Sequence, residues 1–411
     1  MSSFEWVSLG TVCDFENGDR GENYPSKSEF QKQGIPFLNA GNIADGSLTV
    51  ADFDCITQEK YDSLRAGKVR YGDILFCLRG AIGKCAVSTL DKAAIASSLV
   101  IIRNKPCIDA RYLYYVLTSA YFQKCMSNCD NGSVQGNMSV AFLKTINIPL
   151  PSFAAQEIIA RVLGAIDDKI ALNKKMMTEL EDTARLIYDY WFTQFDFPDE
   201  NGRPYCSSGG KMVYNKTLKR EIPEGWEAGT LSNLAAYGER SIGNSLLTTN
   251  TYVSTDNMLP NRGGVLESQY LSDAGSSNMF ERRDILLSNI RPYFKKIWLA
   301  DRVGGCCNDV LVLHPTNIDD WAYLYWTVES DIFFAYDTAG AKGSKMPRGD
   351  KDHIMRYPFA LPPIQLRTSF AEQVSSLMTA EEKLQAESAQ LSSLRDWMLP
   401  MLMNGQVIVD V

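Results

Sequence analysis

The side chains best suited to recognising another molecule lie in two glycine-rich loops of this 411-residue chain. The first loop, residues 131–137, reads Asn-Gly-Ser-Val-Gln-Gly-Asn, and its candidate contacts are Asn131, Ser133, Gln135 and Asn137. Amide side chains of this kind can pair with two atoms of an adenine edge in the major groove. The loop therefore predicts a DNA contact, and an ordinary surface loop is the alternative interpretation.

The second loop, residues 340–349, is basic where the first is uncharged. Its candidate contacts are Lys342, Ser344, Lys345 and Arg348. Lys and Arg can pair with guanine or hold phosphates. A further basic set follows two predicted strands: Arg79 and Lys84 in the first half, and Arg291, Lys295 and Lys296 in the second. These cations could neutralise phosphates and make binding salt-dependent, or they could be plain solvated surface.

Residue patterns for catalysis are absent from the sequence. It contains no phosphate-binding G-x-x-x-x-G-K-[ST] and no G-x-S-x-G, and residues 289–293 approach an Asn-Pro-Pro-Tyr methyltransferase loop without its first proline. Two histidines leave little room for a catalytic triad, and ten cysteines without a C-x-x-C pair predict free thiols. We therefore interpret the chain as a binder with no catalytic residues and no metal site.

Two long helices are predicted to position these loops. From residue 153 onwards, apolar residues recur at alternating spacings of four and three, which predicts a helix of about 60 Å that packs along a partner helix. This seam contains Ile159, Leu163, Ile166, Ile170, Met177, Leu180, Ala184, Ile187 and Trp191, with the polar Asn173 in the series. A second seam contains Phe370, Val374, Leu377, Leu384, Leu391, Leu394, Met398 and Met401. We predict an antiparallel coiled coil whose register is set by Asn173.

The sequence repeats itself at an offset of 211 residues. Asp109 and Tyr112 reappear as Asp320 and Tyr323, and Asp73-Ile74-Leu75 reappears at residues 284–286, each copy followed by an arginine, Arg79 or Arg291. Such agreement indicates a duplicated unit of a globular domain followed by a long helix. Strands are predicted at 74–78, 99–103, 285–288 and 310–314, and helices at 110–125 and 321–335.

These patterns predict an α+β fold with two α/β domains, two long helices and an internal pseudo-twofold repeat. We assign residues 1–150 to the first domain, 151–195 to the first helix, 196–222 to a polar linker, 223–362 to the second domain, and 363–411 to the second helix and tail. The net charge is −8, and the helices hold much of it: residues 151–200 carry 10 acidic and 5 basic groups. Acidic helices would repel DNA and could dock a basic protein.

The N-terminus lacks the features of a signal peptide, and no apolar run approaches the roughly 18 residues of a membrane span. We therefore expect a cytoplasmic protein without membrane contact.

Three features together resemble the DNA-specificity (S) subunits of type I restriction–modification enzymes. The first is Ile148-Pro149-Leu150-Pro151 followed by Gln156 at the start of the long helix. The second is Tyr190-Trp191-Phe192 followed by Gly225-Trp226, and the third is the duplicated order of domain and helix. The second copy departs from the family pattern at Arg367, which stands where the family carries the glutamine seen at Gln156.

The resemblance implies that each domain is a target-recognition domain that reads one half of a bipartite, asymmetric site in double-stranded DNA. It implies that the helices fix the spacer and dock two methyltransferase (M) subunits, which support DNA methylation, and that restriction (R) subunits join the complex. No cofactor is then expected in this chain, and S-adenosylmethionine, ATP and Mg²⁺ are expected on the partners. A methyltransferase or nuclease acting alone, and a coiled-coil scaffold that binds only proteins, are the alternatives.

Overall fold

The chain divides into two units, and both boundaries between them fall inside long helices. The structure, a computed structural model, describes residues 4–44, 46–49, 53–127 and 138–403. The first unit combines Met1–Lys174 with Ala386–Val411, and the second is the continuous segment Lys175–Gln385. The first unit is therefore assembled from two segments that are distant in sequence.

Among its described residues, the first unit contains two four-stranded sheets and two short two-stranded ones. Its strands are β1 Glu5–Ser8, β2 Cys13–Asn17, β3 Ile35–Leu38, β4 Ile43–Ala44, β5 Ser47–Leu48, β6 Cys55–Ile56, β7 Lys68–Val69, β8 Ile74–Cys77, β9 Cys85–Val87, β10 Ala93–Ile95, β11 Leu99–Asn104 and β12 Asn147–Leu150. Its helices are α1 Leu9–Val12, α2 Gln58–Ser63, α3 Ala110–Thr118, α4 Ala120–Ser127, α5 Val140–Thr145 and the long α6 Phe153–Tyr188, which continues into the second unit.

The second unit repeats this arrangement. Its strands are β13 Met212–Asn215, β14 Arg220–Pro223, β15 Glu227–Thr230, β16 Ala235–Tyr237, β17 Ser241–Gly243, β18 Tyr252–Val253, β19 Ser276–Phe280, β20 Ile285–Ser288, β21 Ile297–Leu299, β22 Gly304–Cys306, β23 Val310–Pro315 and β24 Pro358–Leu361. Its helices are α7 Trp321–Glu329, α8 Asp331–Gly340, α9 Lys351–Met355 and the long α10 Ile364–Met403, which ends in the first unit.

The central antiparallel sheets follow from short runs of buried β-branched and aliphatic residues. The strand orders are β2-β11-β8-β9 in the first unit and β16-β23-β20-β21 in the second. The middle strands β8, β11, β20 and β23 are buried along most of their length, which explains why their sequences are nearly continuous in apolar residues. These four strands coincide within one residue with the predicted ones, and those predictions are confirmed.

Each long helix starts from a strand that is fixed at the edge of its unit. Strand β12 pairs antiparallel with β1, and β24 pairs antiparallel with β15. Pro151 and Pro362 follow these strands, and proline is well tolerated just before a helix because it donates no backbone hydrogen bond. The direction in which each long helix leaves its domain is therefore set by the strand pairing.

Buried hydrogen bonds confirm the internal repeat. The Tyr112 hydroxyl donates to the carbonyl of Pro149 at 2.9 Å, and the Tyr323 hydroxyl donates to the carbonyl of Ala360 at 2.8 Å. The two donors are 211 residues apart in the sequence, and so are the two acceptors. Because an unpaired buried hydroxyl is costly, a duplicated fold keeps donor and acceptor together.

The helices predicted at 110–125 and 321–335 were wrong as single elements. Each is broken by a serine, Ser119 or Ser330, which has an extended backbone. The Ser119 hydroxyl accepts from the amide of Phe122 at 3.3 Å, and the Ser330 hydroxyl accepts from the amide of Phe333 at 3.2 Å. Each serine thus caps a new helix, because its side chain replaces a missing backbone partner. Tyr121, two residues after the first break, is exposed.

In each unit the long helices run antiparallel. In the first, Arg395 Nη1 lies 2.9 Å from Asp167 Oδ1, and Asn173 Nδ2 donates to Glu387 Oε2 at 2.8 Å. In the second, the rings of Tyr188 and Phe370 lie 6.0 Å apart. There, burial raises the pKa of Glu381 to about 7, and the negative charge of Glu181 adds to the effect. The α+β class with its antiparallel helix pair is confirmed.

Residues 196–222, predicted as a polar linker, are structured. Strands β13 and β14 form an antiparallel hairpin there, and Phe197 stacks between Tyr205 and Trp226 with ring centroids 4.7 and 5.4 Å away. The polar composition conceals a few aromatic anchors, and burial of those anchors ties the segment to the second unit.

Candidate nucleic-acid interface

In the second unit, the fold brings together two predicted binding segments that are distant in sequence. The loop between β20 and β21, residues 289–296, lies beside the loop 340–349. The amide of Arg291 donates to the carbonyl of Pro347 at 2.8 Å, and the amide of Gly349 donates to the carbonyl of Asn289 at 3.1 Å. The two segments therefore form one basic surface, which we call the second-unit loop pair.

Most cations of the second-unit loop pair are already matched with an acceptor. Lys295 lies 2.7 Å from Asp331, Arg348 lies 3.0 Å from Asp309, and Lys342 forms an ion pair with Asp350. The partner of Lys296 is a backbone carbonyl: its Nζ donates to the carbonyl of Thr255 at 2.6 Å. A phosphate must therefore compete with these acceptors, since a cation that is already paired contributes less net attraction.

Lys345 and Arg291 differ from the other cations of the second-unit loop pair. Lys345 and Ser344 are exposed, and Arg291 is half-buried. Neither Lys345 nor Arg291 forms an ion pair with a residue that the structure describes. These two cations are the ones most available to an incoming phosphate or base edge.

A chain of ion pairs holds the second-unit loop pair against the rest of its unit. Arg262 lies between two carboxylates, with Nε 2.8 Å from Glu329 Oε1 and Nη2 2.5 Å from Asp331 Oδ1. Arg185 of α6 lies 2.7 Å from Glu329 Oε1, and Lys295 shares Asp331. Arg262 and Lys295 lower the pKa of Asp331 to about 2. Burial raises the pKa of Glu329 to about 7, although both arginines oppose this.

The backbone of this region is unusual. Arg291 and Lys295 have φ of 52° and 51°, and Asn261 and Arg262 on the facing turn have φ of 54° and 62°. A left-handed conformation costs a non-glycine residue about 1–2 kcal/mol. Strained residues that persist together often mark a functional site, because the surrounding structure must hold them in place.

In the first unit, the structure places Arg79 and Lys84 on the loop between β8 and β9, residues 78–84, with both side chains exposed. Neither forms an ion pair with a described residue. The amide of Met138 donates to the carbonyl of Leu78 at 3.0 Å, which is the counterpart of the Gly349–Asn289 bond. Asn131, Ser133, Gln135 and Asn137 lie outside the described residues, so their role stays a prediction.

Sequence reasoning missed Tyr293, Phe294, Asn261 and Arg262. The stretch around Tyr293 was considered only as a catalytic loop, and positive φ at a non-glycine residue leaves no mark in the sequence. The offset also shows that Arg291 corresponds to Gly80, with φ of +77°, and not to Arg79.

The residues predicted to pack the helix pair are distributed over both units. Ile159 and Leu163 belong to the core of the first unit, with Met398 against it, while Ile187 and Leu377 pack against the core of the second. Ile166 and Asn173 are buried, and Ile170, Met177, Leu180, Leu384 and Leu391 are half-buried. Glu387 and Ser388 accept from the Asn173 amide at 2.8 and 3.3 Å. The role of Asn173 in setting the register of the helix pair stays a prediction.

One histidine–carboxylate pair invites a catalytic interpretation. His314 Nδ1 lies 2.6 Å from the buried Asp284 Oδ1, beside a cleft lined by Tyr237, Arg240 and Glu281. In the first unit, the residues at the same offset are Arg103 and Asp73, which form an ion pair at 2.8 Å. A structural ion pair at the equivalent position favours a structural role for the histidine pair.

Within the described part of the chain, no three His, Cys, Asp or Glu side chains are grouped so that they could hold a metal ion. The cysteines of that part are free thiols. None of its helices has both the length and the apolar character needed to cross a membrane.

Residues 1–182 match the family described as type I restriction modification DNA specificity domain. The chain is similar to the type I restriction enzyme MjaIX specificity subunit of Methanocaldococcus jannaschii, with 31% identity over 163 residues. That match covers 40% of this chain and only 35% of the relative.

Two further similarities extend over most of the chain. The putative type I restriction enzyme MjaX specificity subunit of the same organism is 21% identical over 405 residues, which covers 93% of this chain and 90% of that protein. The crystal structure of a type I restriction–modification S subunit from M. genitalium covers 98% of this chain and 97% of its own, with a TM-score of 0.55 and 16% identity. At this identity the structural likeness shows the fold alone.

Proposed function

We propose that this chain is the DNA specificity subunit of a type I restriction–modification complex. The carrying observation is that the backbone hydrogen bonds Met138–Leu78 and Gly349–Asn289 occupy equivalent places in the two units, together with the match of residues 1–182 to the specificity-domain family. Two similar readers on one chain suit a bipartite target, and their different loop sequences suit two different half-sites. Each recognised base pair contributes about 1–3 kcal/mol, so two short half-sites together supply the discrimination.

The helix pair serves as spacer and as dock for M subunits in this proposal. Leu186 of α6 and Trp397 of α10 are related by the repeat offset, and both side chains are more than half exposed, at 67% and 59%. Exposed apolar residues on acidic helices suit a basic protein partner better than DNA. Two equivalent patches suit two M subunits.

The chain itself carries out no chemistry in this proposal. The M subunits hold S-adenosylmethionine and methylate adenine, and the R subunits use ATP and Mg²⁺. The S chain contributes the selection of sequence and the distance between half-sites.

Changing one loop is expected to alter one half-site only. Alanine at Asn131 and Gln135 should change or abolish recognition of one half of the target, and alanine at Lys345 and Arg348 should affect the other half. Mapping of methylated adenines in cells that express the chain with its M subunit gives both the wild-type target and the effect. Lys216→Ala, an exposed lysine in the β13–β14 turn, is the matched control. Equal losses in both halves from either variant count against separate readers.

The same mapping separates the alternatives. A wild-type chain that directs no sequence-specific methylation or binding with the M subunit would favour a protein-only scaffold. Binding of S-adenosylmethionine by the purified chain alone would revive a self-sufficient methyltransferase.

Lengthening the helices is expected to lengthen the DNA spacer. Four residues inserted into both α6 and α10 add one turn, about 6 Å, which corresponds to about two base pairs at about 3.4 Å each. The spacer in the mapped methylation sites should grow by one or two base pairs. Insertion into α6 alone is the control, because it misaligns the seam and should abolish activity. An unchanged spacer in the double insertion rules out a ruler role.

A further inference from the structure

Two adjacent aromatic side chains project from the second-unit loop pair. Tyr293 and Phe294 lie in the 3-10 turn Pro292–Phe294 and are 47% and 38% exposed. Their rings touch, with centroids 4.8 Å apart and an interplanar angle of 59°. Single exposed aromatics are common on protein surfaces, but a contacting pair at the tip of a basic loop forms a compact apolar wedge.

The turn that carries the wedge is held rigidly. Both flanking residues, Arg291 and Lys295, are left-handed, and the amides of Asn261 and Arg262 donate to the carbonyls of Phe294 and Lys295 at 2.8 and 2.9 Å. Because the facing turn is itself left-handed at both donors, four strained residues fix one short element. Rigid placement is what a stacking element needs, since ordering it on binding would cost affinity.

The corresponding loop of the first unit, residues 78–84, carries no such wedge. At the repeat offset, Arg291 corresponds to Gly80, and Tyr293 corresponds to Ile82. This loop of the first unit is one residue shorter than residues 289–296. Among the described residues, the aromatic pair is therefore a feature of the second reader.

The charge around the wedge identifies its occupant. The Arg291 guanidinium lies 5.9 Å from the Phe294 ring centroid and forms no ion pair with a described residue. The neighbouring loop, joined through Pro347, presents the exposed Lys345. Aromatic rings flanked by unpaired cations complement a nucleic acid, whose bases stack on rings and whose phosphates bind the cations.

We propose that Tyr293 and Phe294 insert against one base-pair step of the half-site that the second unit reads, and unstack it. This rests on the proposed DNA-reading function. The step is recognised by the ease with which it unstacks, so the second reader adds a deformability test to the contacts of its polar side chains. The first reader, with Ile82 at that place, lacks this test.

The experiment uses the full chain in complex with its M subunit and duplexes that carry the mapped target. 2-Aminopurine, whose fluorescence rises when its neighbours unstack, replaces one base at a time in the second half-site. Positions of methylated adenines are left out, because an M subunit would extrude those bases itself. The test variant is Tyr293→Ala with Phe294→Ala, and the matched control is Tyr214→Ala, an exposed tyrosine of β13.

We expect fluorescence to rise at one step with the wild type and the control. The double variant should lose this rise and bind the duplex about tenfold more weakly, as for loss of base–aromatic stacking. A half-site recognised without any rise, or a double variant that keeps the rise and the affinity, overturns the wedge and leaves the specificity function intact. A wild type with no sequence-specific binding overturns the proposed function and the wedge with it.

Discussion

Replacing Arg367 with methionine is expected to destabilise the second unit by about 3–5 kcal/mol. Arg367 Nη1 lies 2.5 Å from Asp320 Oδ2; the Asp320 side chain is buried and that of Arg367 is 12% exposed. Burial raises the pKa of Asp320 even though Arg367 lowers it. Removal of the guanidinium leaves a buried carboxylate without a counter-charge, and its Oδ1 already lacks a hydrogen-bond partner among the described residues. Urea unfolding followed by tryptophan fluorescence measures the loss.

The repeat supplies the control for this prediction. At the equivalent place of the first unit, Gln156 accepts from the amide of Asp109 at 2.9 Å and donates to the carbonyl of Pro151 at 2.9 Å. Arg367→Gln should therefore lose less than half as much stability as Arg367→Met, because an amide can still donate to Asp320. Adding Asp320→Asn to the methionine variant should recover most of the loss. Equal losses in all three variants would falsify the ion-pair account.

Replacing Asp337 with asparagine is expected to stabilise the protein at about pH 8, by up to about 4 kcal/mol. Asp337 is buried, and neither carboxylate oxygen has a hydrogen-bond partner among the described residues. Burial raises its pKa to about 7. The ordinary value is about 3.9, and a shift of about three units at about 1.36 kcal/mol each gives the limit.

The sign follows from proton uptake on folding. The pKa of Asp337 is higher in the folded chain than in the unfolded one, so its contribution to stability is complete below about pH 4 and is lost as pH rises towards about 7. Asparagine carries no charge, and its amide can donate to Asn289 Oδ1, which is buried without a partner among the described residues. Both oxygens lie beside Gly349, where an added Cβ would be 2.6 Å from Asp337 Oδ1 and 2.9 Å from Asn289 Oδ1.

Urea unfolding at about pH 5 and about pH 8 tests this, with the exposed Asp352→Asn as control. The advantage of Asp337→Asn over wild type should grow with pH, and that of the control should stay near zero. A constant difference, or a less stable Asp337→Asn protein at about pH 8, contradicts the burial argument.

Much of the fold could be predicted because it depends on periodicity and duplication. The heptad seam around Leu163 and the buried strands such as residues 285–288 follow from the spacing of apolar residues. The break at Ser119 could not be inferred from periodicity, because apolar residues on both sides continue a helical pattern while the serine hydroxyl competes for the backbone. Residues 196–222 were misjudged for a related reason: average polarity conceals anchors such as Phe197.

The candidate site was only partly predictable. Basic residues such as Lys345 and Arg348 were found by type and position, and their loop lies beside Arg291 as a consequence of the fold. The pairing of Lys295 with Asp331 and the left-handed turn depend on tertiary contacts between loops. No local pattern encodes such contacts, so the aromatic wedge emerged only from the structure.

The division of the chain into units has a consequence for its synthesis on the ribosome. The second unit is continuous, so all of its residues have been made once residue 385 has been added. The first unit begins earlier but finishes later, because Leu402 and Met403 contribute to its core. The N-terminal domain is therefore incompletely packed until residues 402 and 403 have been made. Loss of the C-terminal helix end would first damage the domain that was made first.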